Sequence, residues 1–211
     1  MANPSSLMAY LQNAPPAIPT IPPSYPGRNT TNTSYRASDI EYVGTEFAVL
    51  FGQVSTNCKR PTQLNGLTPL SLDVGEAALT PGGFKPDLAY FVQESFGSGP
   101  NRAPGDVKPS WKWSTAMATG TDHDQTEFRQ VLSQVNHYMK QHGSRYGFVL
   151  TDNELVAIRR LDGVGRLQLS TPISWESRGT AAQPRLTVML ALWYLGMLAA
   201  QDVGQDQWRL P

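Results

Sequence analysis

Three short groups of residues between Lys85 and Tyr138 have the types and spacing for metal-assisted hydrolysis: Pro86-Asp87, Asp106-Val107-Lys108, and Gln134-Val135-Asn136-His137-Tyr138. Side chains at i and i+2 of a strand share a face. Asp106 and Lys108 are therefore expected to project together, with Val107 turned into the core. Residues at i and i+4 of a helix lie one above the other, which puts Gln134 and Tyr138 on one ridge. Asp87 opens the apolar run Leu88 to Val92, which reads as a buried strand. Two carboxylates at neighbouring strand ends can share a hard divalent cation. A lysine beside them can orient or deprotonate the water that the cation acidifies. That is the chemistry of phosphodiester cleavage.

Pro-Asp, Asp-x-Lys and Gln-x-x-x-Tyr, in that order on strand, strand and helix, resemble the PD-(D/E)XK nuclease superfamily. The Gln-x-x-x-Tyr looks like its RecB-like branch. Gln130 to Leu161 and Leu186 to Ala200 are also similar to fungal proteins described as carrying a PD-(D/E)XK nuclease-like domain. The resemblance spans roughly Asp39 to Leu210 as a domain, and only the three motifs carry chemistry. It implies a restriction-endonuclease-like fold and a magnesium (or manganese) ion. Asp87, Asp106 and the Val107 backbone carbonyl would hold that ion, and Lys108 would hold the attacking water. Gln134 would orient Lys108 or the water, and Tyr138 would support the helix against the site. Asp106 stands where many relatives carry glutamate, which shortens the reach to the metal. The implied partner is nucleic acid, DNA ahead of RNA, and the implied activity is hydrolysis of its phosphodiester bonds. The alternative from another class is a catalytically silent, nuclease-like interaction module. A third reading makes Asp87 and Lys108 a structural ion pair.

The 211 residues suit one domain plus a tail. Lys plus Arg number 17 and so do Asp plus Glu, giving zero net charge. A nonspecific nucleic-acid binder usually carries a basic surplus. Its absence counts against tight autonomous DNA binding, favours the interaction module, and leaves a local basic cleft as the alternative. Cys58 is the single cysteine, so no internal disulfide forms, and a reducing compartment fits. The N-terminus lacks a charged stretch followed by an apolar one, so no secretory signal is read. The longest apolar run, Leu186 to Ala200, is shorter than the ~20 residues of a membrane helix. The expectation is an intracellular protein, nuclear or cytoplasmic, with no membrane partner.

Residues 1–37 read as a disordered, proline-rich tail, and residues 38–211 as the nuclease-like domain. The sharper reading of the tail is a docking peptide for a proline-binding protein partner. A helix is expected from Glu41 to about Gln53, with Glu46 as a further acidic candidate near the metal. Loops follow from Ser55 to Pro81, with a short strand near Leu67 to Leu72. Strands are expected over Phe84–Val92 and Pro104–Trp113, the second interrupted by Pro109. Alternation would put Trp111 and Trp113 on one face, as a core cap or as a stacking platform for bases. Asp122-His123-Asp124 reads as a loop and N-cap to a helix that opens at Thr126 and runs to about Gln141. Gly143 ends that helix, and Phe128, Val131, Leu132, Val135 and Met139 form its apolar face. Tyr146–Thr151 and Leu155–Leu161 form a hairpin. Strand material continues to Trp175, and Leu186–Ala200 is a helix apolar nearly all round, with Trp193 and Tyr194 in the core. Arg159 and Arg160 read as solvated, and His137 and His142 as surface histidines. The fold class is α/β (or α+β), a central mixed sheet flanked by helices.

Overall fold

The computed structural model describes residues 4–22, 29, 32–42, 67–180 and 182–211. These contain three α-helices: α1 (Pro4–Leu11), α2 (Asp122–His142) and α3 (Val188–Ala199). The strands are β1 (Glu41–Tyr42), β2 (Ser71–Val74), β3 (Leu88–Phe91), β4 (Gly105–Val107), β5 (Tyr146–Leu150), β6 (Glu154–Arg160), β7 (Arg166–Leu169) and β8 (Ile173–Ser174). They form one open sheet in the order β1-β7-β6-β5-β4-β3-β2, with β8 against the start of β6. The β1–β7 and β4–β5 pairs are parallel, and the other five are antiparallel. The chain is thus mixed α/β with a mostly antiparallel sheet. No helix among the described residues is long and apolar enough to cross a membrane.

The two-residue period of the central strands divides the core in two. In β5, Val149 faces α2 while Phe148 faces α3. The predicted apolar stripe of α2 packs on Val149, Val156, Ile158, Leu167 and Leu169. Ala191, Leu195 and Leu198 of α3 pack on Tyr146, Phe148, Leu155 and Ala157 on the other face. A sheet covered on both sides has near-continuous apolar central strands, and β5 and β6 have them. α3 is not buried all round, however. Trp193 and Tyr194 are only half-buried, and Trp193 lines an open apolar groove with Leu70, Leu192 and Met197.

Thr121 caps α2: its hydroxyl accepts from the Asp124 N–H, and the Asp124 carboxylate accepts from the Thr121 N–H. The helix therefore starts at Asp122, four residues ahead of Thr126, and Asp122-His123-Asp124 is its first turn. Gly143, at φ 66°, takes the left-handed conformation that closes it.

Several expected elements are shorter or displaced. β3 begins only after Pro86-Asp87, and the short strand ahead of it is Ser71–Val74. β4 ends at Val107, because Pro109 enters a turn in which its carbonyl accepts from the Lys112 and Trp113 N–H groups. Trp111 and Trp113 consequently share no strand face. Trp113 is buried and stacked on Phe128 at 5.5 Å, while Trp111 is half-buried. Glu41 and Tyr42, predicted to start a helix, pair with β7 instead. The remainder of that helix, Glu46 included, lies outside the described residues, as does the loop from Ser55 to residue 66.

Composition predicts no packing for the N-terminal stretch, yet its described residues touch the domain. Leu11 and Gln12 are buried. The Leu11 carbonyl accepts from the Thr187 hydroxyl, and Gln12 Oε1 accepts from the Arg185 N–H at 2.6 Å. Tyr35 is buried, and its carbonyl accepts from the Gln130 amide at 3.3 Å.

Gly105 is a close-approach position. A Cβ there would meet Phe148 ring atoms at 2.2–2.6 Å. Overpacking of this kind costs about 1–3 kcal/mol. Gly105→Ala is expected to lower the urea midpoint accordingly. Gly163→Ala, where a Cβ meets nothing within 4 Å, should leave it almost unchanged.

Candidate active site

β3 and β4 are joined by a single residue pair, Leu88 with Gly105, and then part. Side chains supply the partners that the missing ladder leaves open. Asp87 Oδ2 accepts from the Val107 N–H at 2.7 Å. Asn101 accepts from the Tyr90 N–H at 3.2 Å and donates to the Leu88 carbonyl at 3.1 Å. On its other side β4 stays paired, and the Lys108 N–H continues the line to the Leu150 carbonyl at 2.9 Å. The sheet therefore splits on one side of β4 only, at the residues that carry the Asp-x-Lys motif.

Asp106 is the register partner of Val149, so it faces α2 and is 1% exposed. Lys108 projects on the same side, with Nζ 2.5 Å from Asp106 Oδ2. The expected i, i+2 juxtaposition is thus present in the geometry. Val107 is not in the core. It points to the α3 face, and at the end of the short strand that layer leaves it 42% exposed. Asp87 is exposed and close enough for its charge to act on Asp106. From α2, Gln134 Nε2 lies 3.4 Å from Asp106 Oδ1 and 2.7 Å from the Tyr138 hydroxyl. Asp87, Asp106, Lys108, Gln134 and Tyr138 form one connected group across β3, β4 and α2.

Burial dominates the electrostatics. It pushes the Asp106 carboxyl up to about 6, against the pull of Lys108 and with added repulsion from Asp87. Burial likewise holds the Tyr138 phenol above its ordinary range. The Gln134 hydrogen bond offsets this in part, and the Asp106 charge adds to it. Tyr35 is raised by burial and by Asp106, so this residue from the N-terminal stretch belongs to the same surroundings. Its ring centroid lies 5.5 Å from that of His137, which itself lies 4.6 Å from that of Phe84. No spacing in the chain marks Tyr35, because a segment distant in sequence delivers it to α2.

Other candidates take structural places. His137 is half-buried between Tyr35 and Phe84, and His142 is buried, so neither is a surface histidine. Arg160 is buried and donates to the Ser144 carbonyl at 3.1 Å, so it is not solvated either. Arg159 is half-buried on Gln168 Oε1 at 3.0 Å. Asp152, at the turn between β5 and β6, fixes the chain just beyond Lys108. It accepts from the Ser110 N–H at 2.6 Å and the Ser110 hydroxyl at 2.8 Å. Among the described residues no three His, Cys, Asp or Glu side chains gather as a chelating set. A hard cation would thus find two carboxylates and backbone oxygen, a donor set that suits magnesium with several waters retained.

Comparison of the chain with protein-family models, with curated proteins and with solved structures finds no match.

Two buried groups give opposite pH dependences. Folded Asp106 keeps its proton up to about pH 6, against 3.8 ordinarily. The folded state then binds more protons, so this stabilisation is full below the lower value and lost as pH rises through the upper. Its span is on the order of 3 kcal/mol. His142 is lowered by burial from 6.5 to about 4, so its stabilisation is present above 6.5 and lost as pH falls. Asp106→Asn is expected to lose more stability than wild type between about pH 6.5 and about pH 4.5, and His142→Gln less. Urea denaturation at the two pH values checks both, and equal slopes in all three proteins would refute the assignment.

Proposed function

We propose that the protein is a divalent-metal-dependent nuclease that hydrolyses phosphodiester bonds in nucleic acid, with DNA ahead of RNA as substrate. The observation that carries this reading is the contact of Asp106 with Lys108 beneath Gln134 and Tyr138, beside Asp87 where β3 and β4 part. The restriction-endonuclease-like arrangement belongs to the same proposal, as does membership of the PD-(D/E)XK superfamily. It is supported by a mixed sheet with α2 and α3 on opposite faces and the motif at the end of its interior strand β4. A nuclear or cytoplasmic setting goes with it and with the lone cysteine.

Asp87, Asp106 and the Val107 carbonyl would hold magnesium or manganese. All three donors are oxygens, as a hard cation requires. Asp106 Oδ2 also supports the fit, since it is buried beside an ammonium group yet has no hydrogen bond of good direction. The bound ion would acidify a water and neutralise phosphate charge. Lys108 Nζ would hold that water in line, fixed by its own contact with Asp106. The Gln134 amide donates towards Asp106 Oδ1 and to the Tyr138 hydroxyl, which holds the carboxylate plane against α2. Asp106 and Lys108 sit on a strand backed by β5 and are positioned before substrate arrives.

A second reading, a catalytically silent interaction module, is favoured by the zero net charge and by the near-complete burial of Asp106.

Cleavage of single- and double-stranded DNA and RNA, with and without manganese, separates the two. Lys108→Ala is expected to abolish cleavage while keeping manganese binding by calorimetry. Asp106→Asn is expected to lose both. Were the pair only structural, Lys108→Ala would instead strand a buried carboxylate and cost roughly 1–3 kcal/mol or more in stability. Wild type that neither cleaves any of these substrates nor binds manganese leaves the interaction module standing.

A further inference from the structure

Three aromatic rings stand together at the edge of the site, outside the connected group of Asp87, Asp106, Lys108, Gln134 and Tyr138. Phe84 precedes Asp87 by three residues on the approach to β3. His137 lies on α2 between Gln134 and Tyr138. The Phe84 and His137 ring centroids are 4.6 Å apart, edge to face. Tyr35 backs both, at 6.2 Å from Phe84 and 5.5 Å from His137. Its backbone is pinned on both sides. The N–H donates to the Asn32 carbonyl at 3.3 Å, and the carbonyl accepts from Gln130 at 3.3 Å. The rings therefore join the β3 side of the fork to α2 and are positioned before any ligand arrives.

This cluster is not sealed. Tyr35 is buried, but Phe84 and His137 are half-buried, so part of each ring meets solvent. Neither ring packs into the apolar layers that cover the two faces of the sheet among the described residues. Burial, helped by the Lys140 charge, holds the His137 imidazole below its ordinary range, so the ring is neutral at pH 7. Lys140 itself, three residues further along α2, is exposed.

Charge narrows what such a wall can take. The chain has 17 basic and 17 acidic side chains, so phosphate attraction is a weak source of affinity. Stacking on aromatic rings needs no basic surplus, because every base has a face to offer. In a duplex those faces are covered by neighbouring bases, and uncovering one costs free energy. We propose that Phe84 and His137, backed by Tyr35, form a stacking wall for unpaired bases beside the scissile phosphodiester, so that the substrate is single-stranded nucleic acid. Lys140 would meet the phosphate of the stacked nucleotide. The inference rests on the nuclease reading for the scissile bond and adds the strand state of the substrate.

The test uses the full chain and a short single-stranded deoxyoligonucleotide carrying a fluorescent adenine analogue whose emission falls on stacking. Calcium, with its looser oxygen coordination, replaces manganese in the binding arm, so that stacking is read without cleavage. Wild type should quench the analogue in the single strand and not in the same sequence paired with its complement. Phe84→Leu and His137→Leu should each weaken single-strand binding about tenfold, as the loss of one stacked base would. Phe84→Trp, which restores a stacking face, should recover it. In the manganese arm Phe84→Leu should raise KM for the single strand about tenfold at unchanged kcat. Its manganese binding by calorimetry should match wild type. Should Phe84→Leu fold poorly by circular dichroism, His137→Leu and Phe84→Trp carry the comparison. Wild-type cleavage that prefers duplex, or that Phe84→Leu and His137→Leu leave unaltered, overturns the stacking wall and leaves the nuclease reading in place. Quenching that depends on Phe84 in a protein that cleaves nothing overturns the nuclease reading and keeps the wall as a single-strand binding surface. No quenching by wild type overturns the wall outright.

Discussion

The ion pair between Asp106 and Lys108 is the constraint that the rest of the site answers to. Taking a carboxylate and an ammonium out of water is costly, and their attraction returns that cost only with good geometry and further hydrogen bonds. Here the return is partial. Lys108 lies 2.5 Å from one carboxylate oxygen, and Gln134 reaches the other at a long 3.4 Å. The carboxyl is still pushed up to about 6. A fold shaped for stability alone would place an apolar pair under α2, where Val131, Val135 and Val149 already pack. Buried groups that remain electrostatically uncomfortable mark functional sites more often than ordinary cores.

The second feature is the split in the sheet. β4 keeps its parallel partner β5 but leaves β3 after one pair. An unpaired strand N–H must find another acceptor, and for Val107 that acceptor is the Asp87 side chain. The same bond draws Asp87 beside Asp106, so the break in the ladder and the meeting of the two carboxylates are one event. Gly105 sits at the fork and carries no Cβ because the Phe148 ring lies against it. The apolar layer on the α3 side and the polar site on the α2 side therefore meet back to back across one short strand.

Asp152 links this site to the proline-rich N-terminal stretch. One carboxylate receives the Ser110 N–H and hydroxyl, which hold the turn after Lys108, and the Thr20 hydroxyl from the N-terminal stretch.

The sequence by itself determined what depends on near neighbours. The period of Phe128, Val131, Leu132, Val135 and Met139, with Gly143 at the C-terminal end, fixed α2 and its buried face, while its start at Asp122 lies four residues ahead of the expected Thr126. The apolar runs Tyr146–Thr151 and Leu155–Leu161, separated by three residues, fixed the hairpin. The i, i+2 and i, i+4 spacings placed Asp106 with Lys108, and Gln134 with Tyr138. Tertiary structure alone decided where strands stop and what covers them. Pro109 marks an interruption of β4 in the sequence, but the strand already ends at Val107 because β3 departs there, and that cause lies outside the motif. Arg160, His142 and Gln12 are buried although their types favour water, since carbonyls, helix ends and loops distant in sequence enclose them. Tyr35 came to Asp106, and Pro16 to Trp175, across separations that no local pattern encodes. Local spacing acts through backbone geometry within a few residues, whereas burial and its electrostatic consequences are set by whichever distant segment supplies the far wall.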